Sequence, residues 1–158
     1  MATLPASVQA ILETSTSDYP TDLIAVSEAL GVPIYSTALA EGVSGVLVRD
    51  SGSPSGFVIH VDKDEPAARQ RFTAAHELGH FVLHKHLIGD RVEDNYLLRS
   101  EGLSNAVEAE ANRFAADLLM PRAQIARAME AGITGADALA DAFGVSLTAM
   151  SIRLGLPT

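Results

Sequence analysis

Four histidines and one glutamate lie within the eleven residues HELGHFVLHKH, which start at His76. Histidines four positions apart share one face of a helix, so His76 and His80 can both reach a single metal ion. Glu77 would lie beside that ion rather than on it, where it can accept a proton from a water molecule that the ion activates. The spacing therefore predicts a hydrolytic metal centre. The alternative is a helix that is only rich in histidine.

The residues around this motif favour a buried helix. From Phe72 to Leu83, Glu77 is the only formally charged residue, and Ala74, Leu78 and Phe81 share one apolar face. An unpaired buried carboxylate costs several kcal/mol, so a buried Glu77 needs a partner. A divalent ion held by the neighbouring histidines would supply one.

A third ligand is expected from the helix predicted over residues 105–120. On its helical wheel Glu108 borders the apolar face, whereas Glu110 belongs to a stripe expected to face water. We therefore predict Glu108 as the ligand and Asn112, one turn on, as its hydrogen-bonding neighbour around the metal. A capping box, with Glu108 reaching back to an N-cap at Asn105, is the structural alternative.

The rest of the chain predicts an α+β fold in a single domain, with a three-stranded or slightly larger, mainly antiparallel sheet packed on the metal-binding helices. We expect an extended substrate to add as a strand to an exposed sheet edge, and we predict that one strand of the hairpin formed by residues 43–48 and 57–61 is that edge. Residues 89–105 are interpreted as a polar connector. The predicted order is helix 20–31, strands 32–36, 43–50 and 56–64, helices 66–84, 105–120 and 121–132, and two short helices around Gly144.

The composition limits the metal ligands and the partners that the protein can have. The 158 residues contain no cysteine, so a metal must be held by His, Asp or Glu. A net charge of −9 argues against direct binding of nucleic acid and suits a basic protein partner. The helix pair around Gly144 has the spacing of a DNA-binding motif, but its second helix carries Arg153 as its only cation. A packing role is favoured there. We expect a cytoplasmic protein without a membrane span, because no secretory signal or long apolar run is visible.

Two segments, RQRFTAAHELGHFVLH and VEAEANRFAADLLMP, closely resemble the ImmA/IrrE family of bacterial metallopeptidases. The resemblance implies a small zincin-like domain, with a catalytic core over about residues 20–121 and C-terminal helices over 122–158. It implies His76, His80 and Glu108 as metal ligands and Glu77 as the general base. It also implies a protein substrate, in most members a helix-turn-helix transcription repressor.

The resulting prediction is a metal-dependent endopeptidase that uses zinc, with manganese as the second choice for a site containing a carboxylate. The alternative is a regulatory module that keeps a structural metal and binds a repressor without cutting it. Three residues, Tyr96, Arg99 and His84, are candidates for contacting the substrate or stabilising the oxyanion.

Overall fold

The computed structural model describes residues 4–87 and 105–157, and the backbone alone of 91–95. In the described residues two helices come first, three strands follow one another, and the second half is almost entirely helical, which confirms the α+β class. The elements are α1 Ala6–Ser15, α2 Leu23–Leu30, β1 Ile34–Thr37, β2 Val43–Arg49, β3 Phe57–Asp62, α3 Ala67–His84, β4 Arg91–Asn95, α4 Asn105–Leu119, α5 Arg122–Glu130, α6 Ala136–Phe143 and α7 Leu147–Arg153.

The described strands form one sheet in the order β1-β3-β2-β4. β2 pairs antiparallel with both β3 and β4, and β1 pairs parallel with β3, so the sheet is mainly antiparallel as predicted. β4 was not anticipated, because its sequence RVEDN lies in the segment interpreted as a connector. Charged residues are common on edge strands, where they discourage pairing with other chains, and they hide the usual strand pattern.

This strand order corrects the prediction about the sheet edge. β2 and β3 both lie inside the sheet, so neither strand of the hairpin offers a free edge among the described strands. Val46, for example, pairs with His60 on one side and Glu93 on the other. The edges are β1 and β4, and a substrate strand would have to join one of these.

Local signals explain where several helices begin and end. The side chain of Asp22 accepts a hydrogen bond from the backbone N–H of Ala25 at 3.0 Å and starts α2. Ser146 starts α7 in the same way through the N–H of Ala149, also at 3.0 Å. α1 was missed in the sequence, although its apolar residues at positions 8, 11 and 12 have helical spacing.

One hydrophobic cluster joins the sheet to the helices of both halves. α3 lies at its centre, and the side chains of residues 73–81 are buried without interruption, which confirms the expectation of a buried helix. The packing interpretation of the C-terminal pair also holds: Phe143 is fully buried and stacks on Tyr19 at 4.8 Å between ring centroids. Arg153 donates to the carboxylate of Asp117 at 2.9 Å, so the cation of α7 is engaged within the fold.

None of the helices in the described part of the chain has both the length and the apolar character needed to cross a bilayer.

Candidate metal centre

The site forms where α3 and α4 pack closely against each other. Gly79 permits this approach, because a Cβ atom there would lie 3.1 Å from a ring carbon of Phe114 and 3.3 Å from the Cα of Ala111. Such contacts are tighter than side chains tolerate without displacement. The glycine inside the HELGH motif therefore brings the backbone of α4 near enough for a side chain of its first turn to reach the histidines.

That side chain is Glu108. Its Oε2 lies 3.0 Å from Nε2 of His76, and its Oε1 lies 3.4 Å from Nε2 of His80. Both imidazoles are buried, and one donor atom from each of the three residues fits within a span of 4.8 Å. A tetrahedral zinc site with bonds of about 2.05 Å separates its ligand atoms by roughly 3.3 Å. The cluster already has the dimensions of such a site.

The hydrogen bonds behind the ligands are consistent with metal binding. Oδ1 of Asn112 lies 2.8 Å from Nδ1 of His76 and, as an amide oxygen, accepts a hydrogen bond from it. The Nε2 atom of the same ring then carries a lone pair directed at the carboxylate of Glu108, and a cation between the two would be attracted by both groups. Two imidazoles and one carboxylate form the His₂Glu set that suits zinc. The residues therefore fit a divalent ion.

Glu77 lies on another side of α3, against the sheet. It is completely buried, and β2 passes beside it at Gly45. A Cβ atom on Gly45 would lie 2.5 Å from Cγ2 of Thr73 and 3.4 Å from Oε2 of Glu77, so this position admits only glycine without a shift of its neighbours. The pairing of β2 with β4 is irregular between Val43 and Gly45, next to this contact.

His84, which follows His76 and His80 along the same face of α3, is buried. It contacts Glu110, a residue that the helical wheel predicted to face water. Its Nδ1 lies 3.0 Å from Nδ1 of His80, and its Nε2 lies 3.1 Å from Oε1 of Glu110. Glu110 is therefore not part of a purely solvated stripe, because α3 continues far enough to meet it. Burial lowers the pKa of the His84 imidazole below its usual value, and the hydrogen bond to Glu110 offsets part of that effect.

These contacts use both ring nitrogens of His84, so in this conformation it has no N–H left to offer a substrate. Tyr96 and Arg99, the other two candidates for substrate contacts, lie outside the described residues. Sequence reasoning also passed over Gly45. Its one visible signal is a glycine inside an otherwise regular strand pattern, which often marks close approach of another group.

Two comparisons with known proteins identify similarities to this chain. A family model described as the IrrE N-terminal-like domain, Peptidase_M78, matches residues 27–155. A solved chain described as a Mycobacterium tuberculosis transcriptional regulator superimposes with a TM-score of 0.60 at 20% identity, over 94% of this chain and 46% of that chain. At that identity the likeness shows the fold alone, and this chain spans less than half of the regulator's length. No curated protein matches the sequence.

Proposed function

Because the chain belongs to the peptidase family M78, whose model spans residues 27–155, we propose that it is a metal-dependent endopeptidase. In this proposal His76, His80 and Glu108 hold one divalent ion, and Glu77 is the general base. The observation that carries it is the convergence of three ligand atoms, from two helices distant in sequence, within 4.8 Å of one another.

The residues divide the chemistry between them. When bound, a divalent ion would polarise a substrate carbonyl and make water a stronger nucleophile near neutral pH. The carboxylate of Glu77 accepts one proton from the attacking water while the water oxygen bonds to the carbonyl carbon of the substrate. The same carboxylate then returns the proton to the amide nitrogen that leaves, so the peptide bond is hydrolysed and Glu77 ends as it began.

Zinc is the proposed ion, and manganese is the alternative. Two neutral imidazoles and a carboxylate form a common set for catalytic zinc, and the absence of cysteine from the 158 residues leaves no thiolate to favour softer metals. The buried rings of His76 and His80 would exclude bulk water from one side of the ion.

The proposed substrate is a helix-turn-helix transcription repressor, cut in an extended segment. This follows from the resemblance of the two motif segments, and the net charge of −9 suits a partner with basic surface. β4 is the better edge for holding the segment, because its neighbour β2 contacts Glu77 at Gly45, and Asp94 of β4 is paired with that glycine. A strand added to β4 would run about 4.8 Å further out.

The test is incubation of the zinc-loaded protein with the helix-turn-helix protein encoded nearest to its gene. We expect a discrete pair of fragments, which disappears with a chelator and returns with added zinc. The matched control is Glu77→Gln, which has nearly the same shape but no basic carboxylate. A stable complex that is never cut, with zinc bound, would contradict the proposal and support the non-proteolytic module instead.

A further inference from the structure

Among the buried ionisable side chains of the described residues, His84 alone has no role in the endopeptidase proposal. His84 is 4% exposed, lies on the last turn of α3, and is not among the three residues that converge as ligands. A buried imidazole costs free energy unless its nitrogens are hydrogen-bonded. Both nitrogens of His84 are engaged, one by His80 and one by Glu110, so its position is tied to a metal ligand on one side and to a carboxylate on the other.

In the hydrogen-bonded series His80, His84 and Glu110, the positions of the protons follow from the chemistry of Glu110. An ionised carboxylate only accepts hydrogen bonds, so Nε2 of His84 must donate to Glu110 across 3.1 Å. In the neutral imidazole, Nδ1 of His84 is then an acceptor. The proton between the two Nδ1 atoms, which are 3.0 Å apart, therefore belongs to His80. This leaves Nε2 of His80 with a free lone pair on the side that faces Glu108.

We propose that Glu110 and His84 form a positioning relay that holds His80 in the tautomer and ring orientation needed to bind the metal ion, and thereby raises the affinity for it. The inference rests on the proposed metal site but not on peptide cleavage. Groups that hydrogen-bond to a ligating histidine from behind commonly fix its tautomer and raise its basicity. Here the carboxylate acts through a second imidazole rather than directly.

The two ligating histidines are supported unequally. His76 is held by the neutral amide of Asn112 in one step, whereas His80 is held by the carboxylate of Glu110 in two. The hydrogen bond from Nε2 of His84 to the charged carboxylate of Glu110 makes Nδ1 of His84 a stronger acceptor for the proton of His80. The relay therefore makes His80 the more strongly polarised ligand. It also assigns Glu110 a role that a solvent-facing residue would not have.

The test is zinc affinity, measured by competition with a chromophoric chelator on the full chain. Glu110→Ala should weaken zinc binding about ten- to a hundredfold. Glu110 is partly exposed on a helix, where alanine is well tolerated, so this variant should fold. Glu110→Gln keeps an oxygen acceptor for His84 but loses the charge, so it should restore part of the affinity. Asp117→Ala, which removes another carboxylate from the same helix, should bind zinc as the wild type does.

A second measurement separates positioning from general stability. In the metal-free protein, ¹⁵N shifts of the imidazoles should show His80 protonated at Nδ1 in the wild type and in Asp117→Ala. In Glu110→Ala and in His84→Phe, which fills the same space without nitrogens, the two tautomers of His80 should mix.

Two results would overturn the relay. One is a zinc affinity of Glu110→Ala that lies within twofold of the affinity of a zinc-binding wild type. The other is an unchanged tautomer of His80 in both variants. A wild type that binds no zinc would overturn the relay and the proposed function together. Loss of cleavage with normal zinc binding would affect only the proposed function.

Discussion

On the side of α3 that meets α4, hydrogen bonds and ion pairs hold the polar side chains in place. On the side that meets β2, close packing against the strand determines the arrangement. His76 and His80 each have a partner behind the ring and the carboxylate of Glu108 in front. Glu77 instead lies where a strand comes so near that Gly45 has no room for a side chain.

If the proposed function holds, this difference predicts that metal binding and turnover can be separated by substitution. Changes on the α4 side alter donor atoms and their orientation, so they should act first on affinity for the ion. Changes on the β2 side should move or neutralise Glu77, the proposed base, while leaving the three proposed donors in place. Four predictions test this difference between the two sides of α3.

The largest effect is expected from His80→Ala, which removes one of the three proposed donors. The protein should then bind far less than one equivalent of zinc and lose cleavage with it. Metal analysis after dialysis checks this, with circular dichroism to confirm folding. His86→Ala removes an exposed histidine two residues after His84 and should retain a full equivalent. Full zinc binding by His80→Ala would remove this histidine from the ligand set.

Glu77→Gln tests the other side of the helix. Without a general base, cleavage should fall by about 10²–10⁴-fold, while zinc content stays at the wild-type level. Fragment formation over time and metal analysis on the same sample check both parts. Cleavage at the wild-type rate would show that Glu77 is not the base.

Gly45→Ala should impair turnover through position alone. The new methyl would meet Cγ2 of Thr73 at 2.5 Å and press on the carboxylate of Glu77. We expect a loss of stability of about 1–3 kcal/mol and a fall in cleavage of up to about a hundredfold, with zinc still bound. Urea unfolding and fragment assays measure the two effects.

Thr73→Ser removes the methyl group that clashes, so the double variant Gly45→Ala with Thr73→Ser should recover much of both losses. If the double variant is as impaired as Gly45→Ala alone, crowding at Thr73 is not the cause.

The smallest effect is expected from Asn112→Ala. It removes the neutral acceptor behind His76, and zinc affinity should fall about tenfold, at the lower end of the range for such partners. Asn112→Asp keeps an oxygen acceptor and should lose less. Because Asn112 is exposed, neither substitution should disturb the core. If Asn112→Ala weakens zinc binding more than Glu110→Ala does, then Asn112 supports the site more strongly than Glu110, contrary to this prediction.

Much of the site could be predicted because its geometry is local. The proximity of His76 and His80 follows from the pitch of one helix, and the inward position of Glu108 follows from the periodicity of another. The α+β class follows from the order of periodic segments, and the terminal helix pair from the glycine between its halves. In each case the outcome follows from the periodicity within single segments and from the order of those segments along the chain.

Other features depended on which segments meet in space. The wheel placed Glu110 in water because it describes one helix at a time, and only the crossing of α3 over α4 brings His84 to it. The sheet order, with β4 as an edge and the hairpin inside, arises from pairing between segments up to about fifty residues apart, which the local pattern of RVEDN does not reveal.

The sequence by itself determined what atoms the site contains, since helical pitch converts spacing directly into a shared face. The tertiary structure alone decided how those atoms are supported and where a substrate could lie, because such contacts depend on packing between distant segments.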